Sequence, residues 1–296
     1  MRTVLMRRVI LPLLLLCASL RNSGAAPLNH IMIVWGENKG LTATLAQPYL
    51  AALAASYSQF SNYHGLTHPS QPNYVGFACG TLAVTANVGC VSLTNTNLVD
   101  LLEAKGVDWR EYEESMTTAC VDTALYMAKH DFFAGFTSIS GDPPRMAKIR
   151  SFNGATPATY SELMGTNPPP LVMVTPNMCN DGHDCGVAQF NSWLKPGGGF
   201  TFFQDMLSSK YYTDGAIIVT FDEDDGTGGN VIYCVAVSAL AKPGHTISNN
   251  YNHYNLLRTV EDNFALGTLT ANDAGAANML AAFNPAAVED WELYRD

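Results

Sequence analysis

Two short apolar runs, each ending abruptly in carboxylates, constrain this chain more than any other feature. Asn29-His30-Ile31-Met32-Ile33-Val34-Trp35 leads into Gly36-Glu37-Asn38, and Ala216-Ile217-Ile218-Val219-Thr220-Phe221 leads into Asp222-Glu223-Asp224-Asp225-Gly226. Neither run alternates polar with apolar, so both faces of each strand must be covered, as in a parallel sheet flanked by helices. In open α/β sheets ligands gather at the carboxyl ends of strands. Two such ends bearing acids could hold a hard divalent cation. Acids after a strand also serve simply to solvate a turn. Asp224 and Asp225 suit that role; Glu37, between a Trp-Gly pair and an asparagine, suits it less.

A third segment supplies a nucleophile. In Thr67-His68-Pro69-Ser70-Gln71-Pro72-Asn73-Tyr74, Pro72 is placed to open a helix, because its missing N–H and fixed φ suit the first turn. Ser70 then stands at the positive end of the helix dipole, among free N–H groups, where phosphate binds well. Taken alone, Ser70 is an N-capping residue in a proline-rich turn. Beside clustered acids and a cation, its hydroxyl becomes a nucleophile, with Thr67 as the second choice.

Five segments in fixed order make the reading specific. They are Glu37-Asn38, His68 to Tyr74, Thr175-Pro176-Asn177-Met178-Cys179-Asn180-Asp181-Gly182-His183-Asp184-Cys185, Thr220 to Gly226, and Asn252-His253-Tyr254-Asn255-Leu256-Leu257-Arg258 running on to Asp262. Together they resemble the phosphoesterase family of secreted acid phosphatases and bacterial phospholipases C, within the alkaline-phosphatase-like superfamily. The match runs from about Asn29 to Phe264. The resemblance implies an α/β fold, a three-layer α/β/α sandwich with a mostly parallel central sheet. It makes Ser70 the nucleophile, through a phosphoserine intermediate. Glu37, Asp222 and Glu223 become metal ligands, and Asn38 a further oxygen donor to metal or phosphate. Asn73 and Asn177 are expected at the substrate. Asp181 and His183, with Asn177 and His253, form a second constellation that holds another metal or a hydrogen-bonding group. His253 is the expected general acid at the leaving group. Lys129 and His130 pair with phosphate oxygens or move a proton, and His68 reaches the same pocket. One or two divalent ions per chain follow, with Mg, Ca, Mn and Zn all open.

The beginning of the chain reads as a secretory leader over residues 1–25. Arg2, Arg7 and Arg8 precede an apolar run from Val9 to Ala18, and Ser23-Gly24-Ala25-Ala26 offers a cleavage site. The rest, residues 26–296, reads as one domain with a tail from about residue 268. The net charge is −10, and losing the leader's four arginines makes it more negative. So acidic a surface does not attract nucleic acid as a bulk partner. The expected substrate is a small phosphate ester or a lipid headgroup. No later segment is long and apolar enough to cross a membrane, and the oligomeric state is open.

Six cysteines remain outside the leader. Cys179 and Cys185 flank a short loop and are the favoured pair. Cys79, Cys90, Cys120 and Cys234 leave three pairings open. Cys79 with Cys90 is nearest in sequence, and Cys234, in the apolar run Val231 to Val237, reads as a buried thiol. The family resemblance implies a partner for Cys120 at position 146, where this chain has Met146.

Helices are expected over Tyr49–Tyr57, Asn97–Ala104, Ala188–Leu194, Phe200–Ser208 and Asn255–Phe264, and strands over Leu171–Thr175 and Val231–Ser238. Two other functions compete with a phosphomonoesterase: a phospholipase C type phosphodiesterase, and a non-catalytic secreted binding protein on the same scaffold. A serine hydrolase is disfavoured, because no Gly-x-Ser-x-Gly elbow occurs.

Overall fold

The computed structural model describes residues 28–153, 157–197 and 199–284; the expected leader lies outside them. The described strands are β1 His30–Gly36, β2 Ser58–Phe60, β3 Tyr63–His64, β4 Trp109–Glu114, β5 Ile149–Phe152, β6 Leu171–Thr175, β7 Gly215–Phe221, β8 Val231–Ile232, β9 Cys234–Val237, β10 Thr246–Ile247 and β11 Tyr251–Asn252. Eight of them form one sheet in the order β10-β2-β9-β7-β1-β6-β4-β5. The run β7-β1-β6-β4-β5 is parallel, while β9 is antiparallel to β7. A mostly parallel sheet therefore stands as expected.

β1 lies at its centre and is buried from Ile31 to Gly36. Trp35 points to one face, against Tyr74 and Phe77 of the helix Gln71–Cys79 and against His253, which opens the helix His253–Asn263. Gly36 points to the other. There Phe221, its register partner on β7, meets Phe190 of the helix Val187–Leu194. A Cβ at Gly36 would sit 2.5 Å from the Phe221 ring, so glycine is what lets β1 pass there. Helices thus cover both faces. Trp35 is the floor beneath the carboxyl ends of β1 and β7, and truncating it to alanine is expected to cost about 3–5 kcal/mol.

Several elements depart from expectation. The strand over Val231–Ser238 breaks at Tyr233. β8 joins the small sheet β11-β3-β8, and β9 joins the large one. Tyr233, at the break, is held by β7 and by the helix Pro48–Ser56: its carbonyl accepts from Thr220 Oγ1 (2.9 Å) and its hydroxyl donates to Leu50 O (2.8 Å). β4 and β5 had no counterpart in the sequence reading. The acids of β4 (Trp109-Arg110-Glu111-Tyr112-Glu113-Glu114) mask a strand in which only Arg110 is not buried. As far as residue 284 the tail packs, with Met279, Ala282 and Phe283 all buried. Among the described residues no helix is long and apolar enough to cross a membrane.

Candidate active site

The helix Gln71–Cys79 starts immediately after Ser70, with Pro72 in its first turn. Ser70 has helical φ and ψ, −53° and −58°, and its side chain makes no capping bond. The loop beyond the helix does that work: Asn87 Oδ1 accepts from Gln71 N at 2.9 Å, and Gln71 Oε1 accepts from Val88 N at 2.7 Å. The Ser70 hydroxyl is left to donate to Glu223 Oε1 at 3.1 Å, with Asn38 Oδ1 at 3.4 Å. The capping reading of Ser70 therefore fails, because its oxygen faces the acids rather than the helix.

Register explains why those acids meet. Gly36 pairs with Phe221, so Glu37 and Asp222 leave adjacent strands side by side. Asp181 comes from the loop after β6, and its carbonyl accepts from Glu37 N at 2.9 Å. Asn38, at φ +51°, turns the chain so that its N–H reaches Asp222 Oδ1 and its Nδ2 reaches Glu223 Oε1, both at 2.9 Å. Asparagine tolerates that left-handed conformation better than most residues. Glu37, Asp181, Asp222 and Glu223 are each no more than 2% exposed.

Four buried carboxylates in one place repel one another. Burial, then the charge of Glu37, push Asp222 and Asp181 well above the usual carboxylate range. Burial also raises Glu37, but His130 and Tyr74 outweigh it and hold that carboxyl at about 2. Asp181 Oδ2 and Asp222 Oδ2 have no hydrogen-bond partner. Glu37 Oε2 meets only His130 Nε2, at 3.2 Å, and Glu223 Oε2 only His68 Nδ1, at 2.6 Å, neither with hydrogen-bond geometry. Orphaned oxygens on an all-oxygen donor set fit a hard divalent cation.

The histidines divide into two kinds. His68, its side chain 45% exposed, bridges Glu223 and Asp224 at the rim. His183 is one-third exposed, bonded to Asp184, with its ring centroid 6.5 Å from that of His130. His130 is buried against Glu37 and stacked on Tyr74. Lys129 beside it adds positive charge felt by Glu37 and Asp181. His253 faces inward instead. Its Nε2 donates to Asp222 O at 2.7 Å, its Nδ1 accepts from Tyr63 Oη at 3.0 Å, and its ring stacks on Trp35. Fully buried, it is held by desolvation at about 4, hence neutral. It supports the Asp222 backbone from below, with both ring nitrogens engaged.

The second constellation does not assemble as expected. Asn177 Oδ1 accepts from Cys179 N and Asn180 N, at 3.1 and 3.0 Å, which shapes the turn rather than contacting a substrate. Asp181 joins the first cluster, and its Oδ1 accepts from His183 N at 2.7 Å. Asn73 is likewise a clamp: its Oδ1 accepts from Leu66 N (2.7 Å) and its Nδ2 donates to Thr67 O (2.9 Å), fixing the turn that delivers Ser70.

Residues 39–267 match the model of the phosphoesterase family. The chain belongs to that family. It is 27% identical over 276 residues to a phosphate-repressible acid phosphatase of Penicillium chrysogenum, covering 88% of this chain and 65% of that protein. It is 29% identical over 246 residues to a phosphatidylinositol-3-phosphatase of Mycobacterium tuberculosis, covering 80% of this chain and 77% of that one. The chain thus spans less than two thirds of the fungal relative's length. A solved protein of the alkaline phosphatase superfamily from Vibrio parahaemolyticus has the same fold, with a TM-score of 0.58 at 14% identity over 88% of this chain and 71% of that one.

The site also contains residues that sequence reasoning passed over. Tyr74, inside the nucleophile segment, donates its hydroxyl to Glu37 Oε1. Glu114, on β4, accepts from Asn177 N and Asn180 Nδ2, each at 3.0 Å, and so anchors the Cys179–Cys185 loop. Only the unrecognised strand put it there. Earlier on β4, Glu111 and Glu113 meet Asp131 in a buried group of three acids that could hold a metal ion. The Cys179–Cys185 bridge is present as expected. Cys90 pairs with Cys120, while Cys79 and Cys234 are buried thiols. Adjacency along the chain misled for Cys79, which the helix buries in the core while Cys90 lies in the exposed loop beyond it.

Proposed function

We propose that this chain is a secreted, metal-dependent phosphomonoesterase of the acid phosphatase type, working through phosphorylated Ser70. The carrying observation is the Ser70 hydroxyl, freed from helix capping and turned onto Glu223 among acid oxygens that lack partners. Glu37, Asp181, Asp222, Glu223 and Asn38 would hold one divalent cation. When bound, it would lower the Ser70 hydroxyl's pKa and offset phosphate charge. Glu223 accepts the Ser70 proton as Oγ attacks phosphorus and the ester P–O bond breaks. Lys129 supplies positive charge felt by Glu37, with the His130 ring against that carboxylate. His68 and His183, the histidines at the rim, are placed to give a proton to the departing oxygen, a role that His253 cannot fill with both nitrogens engaged. Water then cleaves the phosphoserine.

The fungal acid phosphatase relative favours a small monoester. The mycobacterial relative, named for a lipid phosphate, keeps a phosphorylated headgroup within the class. The two disulfides accord with secretion. Hydrolysis of an aryl phosphate tests the reading. We expect chelation to stop it, Ser70→Ala to lower turnover on the order of 10⁴-fold or more, and acid-quenched wild type to carry phosphate on the peptide containing Ser70. Normal turnover by Ser70→Ala defeats the assignment. Hydrolysis of diesters but not monoesters would turn it toward the phospholipase C branch. A chain that binds phosphate without turnover would be a binding protein.

A further inference from the structure

A second acid cluster lies on the same sheet, away from Ser70. Glu111 and Glu113 are two apart on β4 and so share a face. Asp131 reaches them from the chain just after the turn Ala128–His130. One oxygen from each lies within 4.8 Å of the others, and the three residues are 0%, 1% and 6% exposed. Among the described residues no lysine, arginine or histidine forms an ion pair with any of them. Part of the cluster is held: Glu111 Oε1 accepts from Phe132 N at 2.6 Å, and Asp131 Oδ2 accepts from Tyr126 Oη at 2.5 Å. Glu111 Oε2, Glu113 Oε1 and Asp131 Oδ1 are buried without a hydrogen bond.

A neutral neighbour points to the same vacancy of partners. Thr175 stands opposite Glu113 in the β4–β6 register, so their side chains share a face. Its hydroxyl faces the Glu113 carboxylate, is 2% exposed as a residue, and also lacks a hydrogen bond of good geometry. Glu113 has Glu111 and the Thr175 hydroxyl as its side-chain neighbours, so three acids and one buried hydroxyl, with no cation among them, offer an oxygen-only donor set.

We propose that Glu111, Glu113, Asp131 and Thr175 form a second, structural site for a hard divalent cation of the Ca²⁺ type. Ca²⁺ accepts irregular oxygen cages, and no soft donor is present to favour another metal. The ion fastens the loop that carries Lys129 and His130 to β4. It does no chemistry, since no imidazole stands in the group and its one hydroxyl, on Thr175, is buried away from solvent.

The experiment separates this ion from the one at Ser70. In Asp222→Asn/Glu223→Gln protein the active-site acids are disabled and the triad is intact. After chelation, calorimetric titration of that protein with Ca²⁺ is expected to show one ion per chain and a higher melting temperature. Adding Glu113→Gln and Asp131→Asn should abolish both effects. Tb³⁺ gives a second reading that does not depend on the fourfold variant, because Tyr126 touches Asp131 and sensitises emission from an ion bound beside it. That emission should appear in Asp222→Asn/Glu223→Gln protein and be competed away by Ca²⁺. Absence of Ca²⁺ binding and of sensitised emission there overturns the proposal; so does unchanged binding in the amide variants. In either case the acids share protons instead. Loss of turnover on aryl phosphate plays no part in the result, so the outcome does not hang on the proposed activity.

Discussion

The two acid clusters of this sheet meet the same electrostatic problem and answer it differently. At the ends of β1 and β7, Glu37, Asp181, Asp222 and Glu223 sit under imidazoles, a lysine and a serine hydroxyl, and two of the histidines reach solvent. On β4, Glu111, Glu113 and Asp131 are met by the Tyr126 hydroxyl, backbone N–H groups and Thr175, and among the described residues no lysine, arginine or histidine pairs with them. A serine hydroxyl, imidazoles and a path to solvent are what the proposed turnover needs. Buried oxygens without them allow only binding. Acid clustering alone therefore does not mark an active site; the groups that interrupt it do.

The sharpest way to break this contrast is to neutralise one acid in each cluster. We expect Asp222→Asn to lower aryl phosphate turnover on the order of 10³-fold, with a melting temperature in chelator that holds or rises as repulsion is relieved. Glu113→Gln should leave turnover within about tenfold and act on the melting temperature in Ca²⁺, which falls. Equal losses of turnover would erase the distinction.

The disulfides give a second contrast. Cys90–Cys120 spans 30 residues and Cys179–Cys185 spans 6. Loop entropy predicts losses of about 3.5 and about 2 kcal/mol when each pair becomes serine. Turnover should follow the opposite order, because the small loop carries Asp181 and His183. Denaturant unfolding beside aryl phosphate kinetics reads both, and a larger turnover loss for Cys90→Ser/Cys120→Ser would reverse the picture.

The smallest effect is in pH. His253 is held at about 4 by burial, below its ordinary 6.5. The unfolded chain binds the extra proton first, so this group's contribution is full above 6.5 and is lost as pH falls toward 4. Asp131 is raised from 3.8 to about 7, chiefly by burial, with Tyr126 opposing. In chelated protein its contribution is full below 3.8 and is lost as pH rises through 7. His253→Gln should flatten the acid limb of the stability profile, and Asp131→Asn or added Ca²⁺ the neutral limb. A shared limb removed by either variant would mean that the clusters are not independent.

Much of the first cluster was legible in the residues. Apolar runs ending in Glu37 and in Asp222-Glu223 announce parallel strands whose carboxyl ends meet, and Pro72 announces the helix behind Ser70. Asn73, Asn177 and His253 stand in the expected segments, but the bonds of their side chains run to the protein's own turns, to Tyr63 and to the Asp222 backbone. A motif places a residue near a site, but its hydrogen bonds decide whether the side chain faces substrate or backbone. His253 shows this most plainly, with both ring nitrogens taken by Tyr63 and Asp222.

The chain by itself determined the parallel sheet, the place of Ser70 at a helix start and the bridge Cys179–Cys185, because each rests on short-range chemistry: unbroken apolar strands, a proline at a helix start, and two cysteines a few residues apart. Only the tertiary structure decided that Ser70 turns away from its helix, that Cys90 chooses Cys120, and that β4 buries Glu111 and Glu113 beside Asp131. Those outcomes depend on register between strands far apart in sequence. Charged residues on β4 look solvated when read in order, and only its neighbours in the sheet close water off from them.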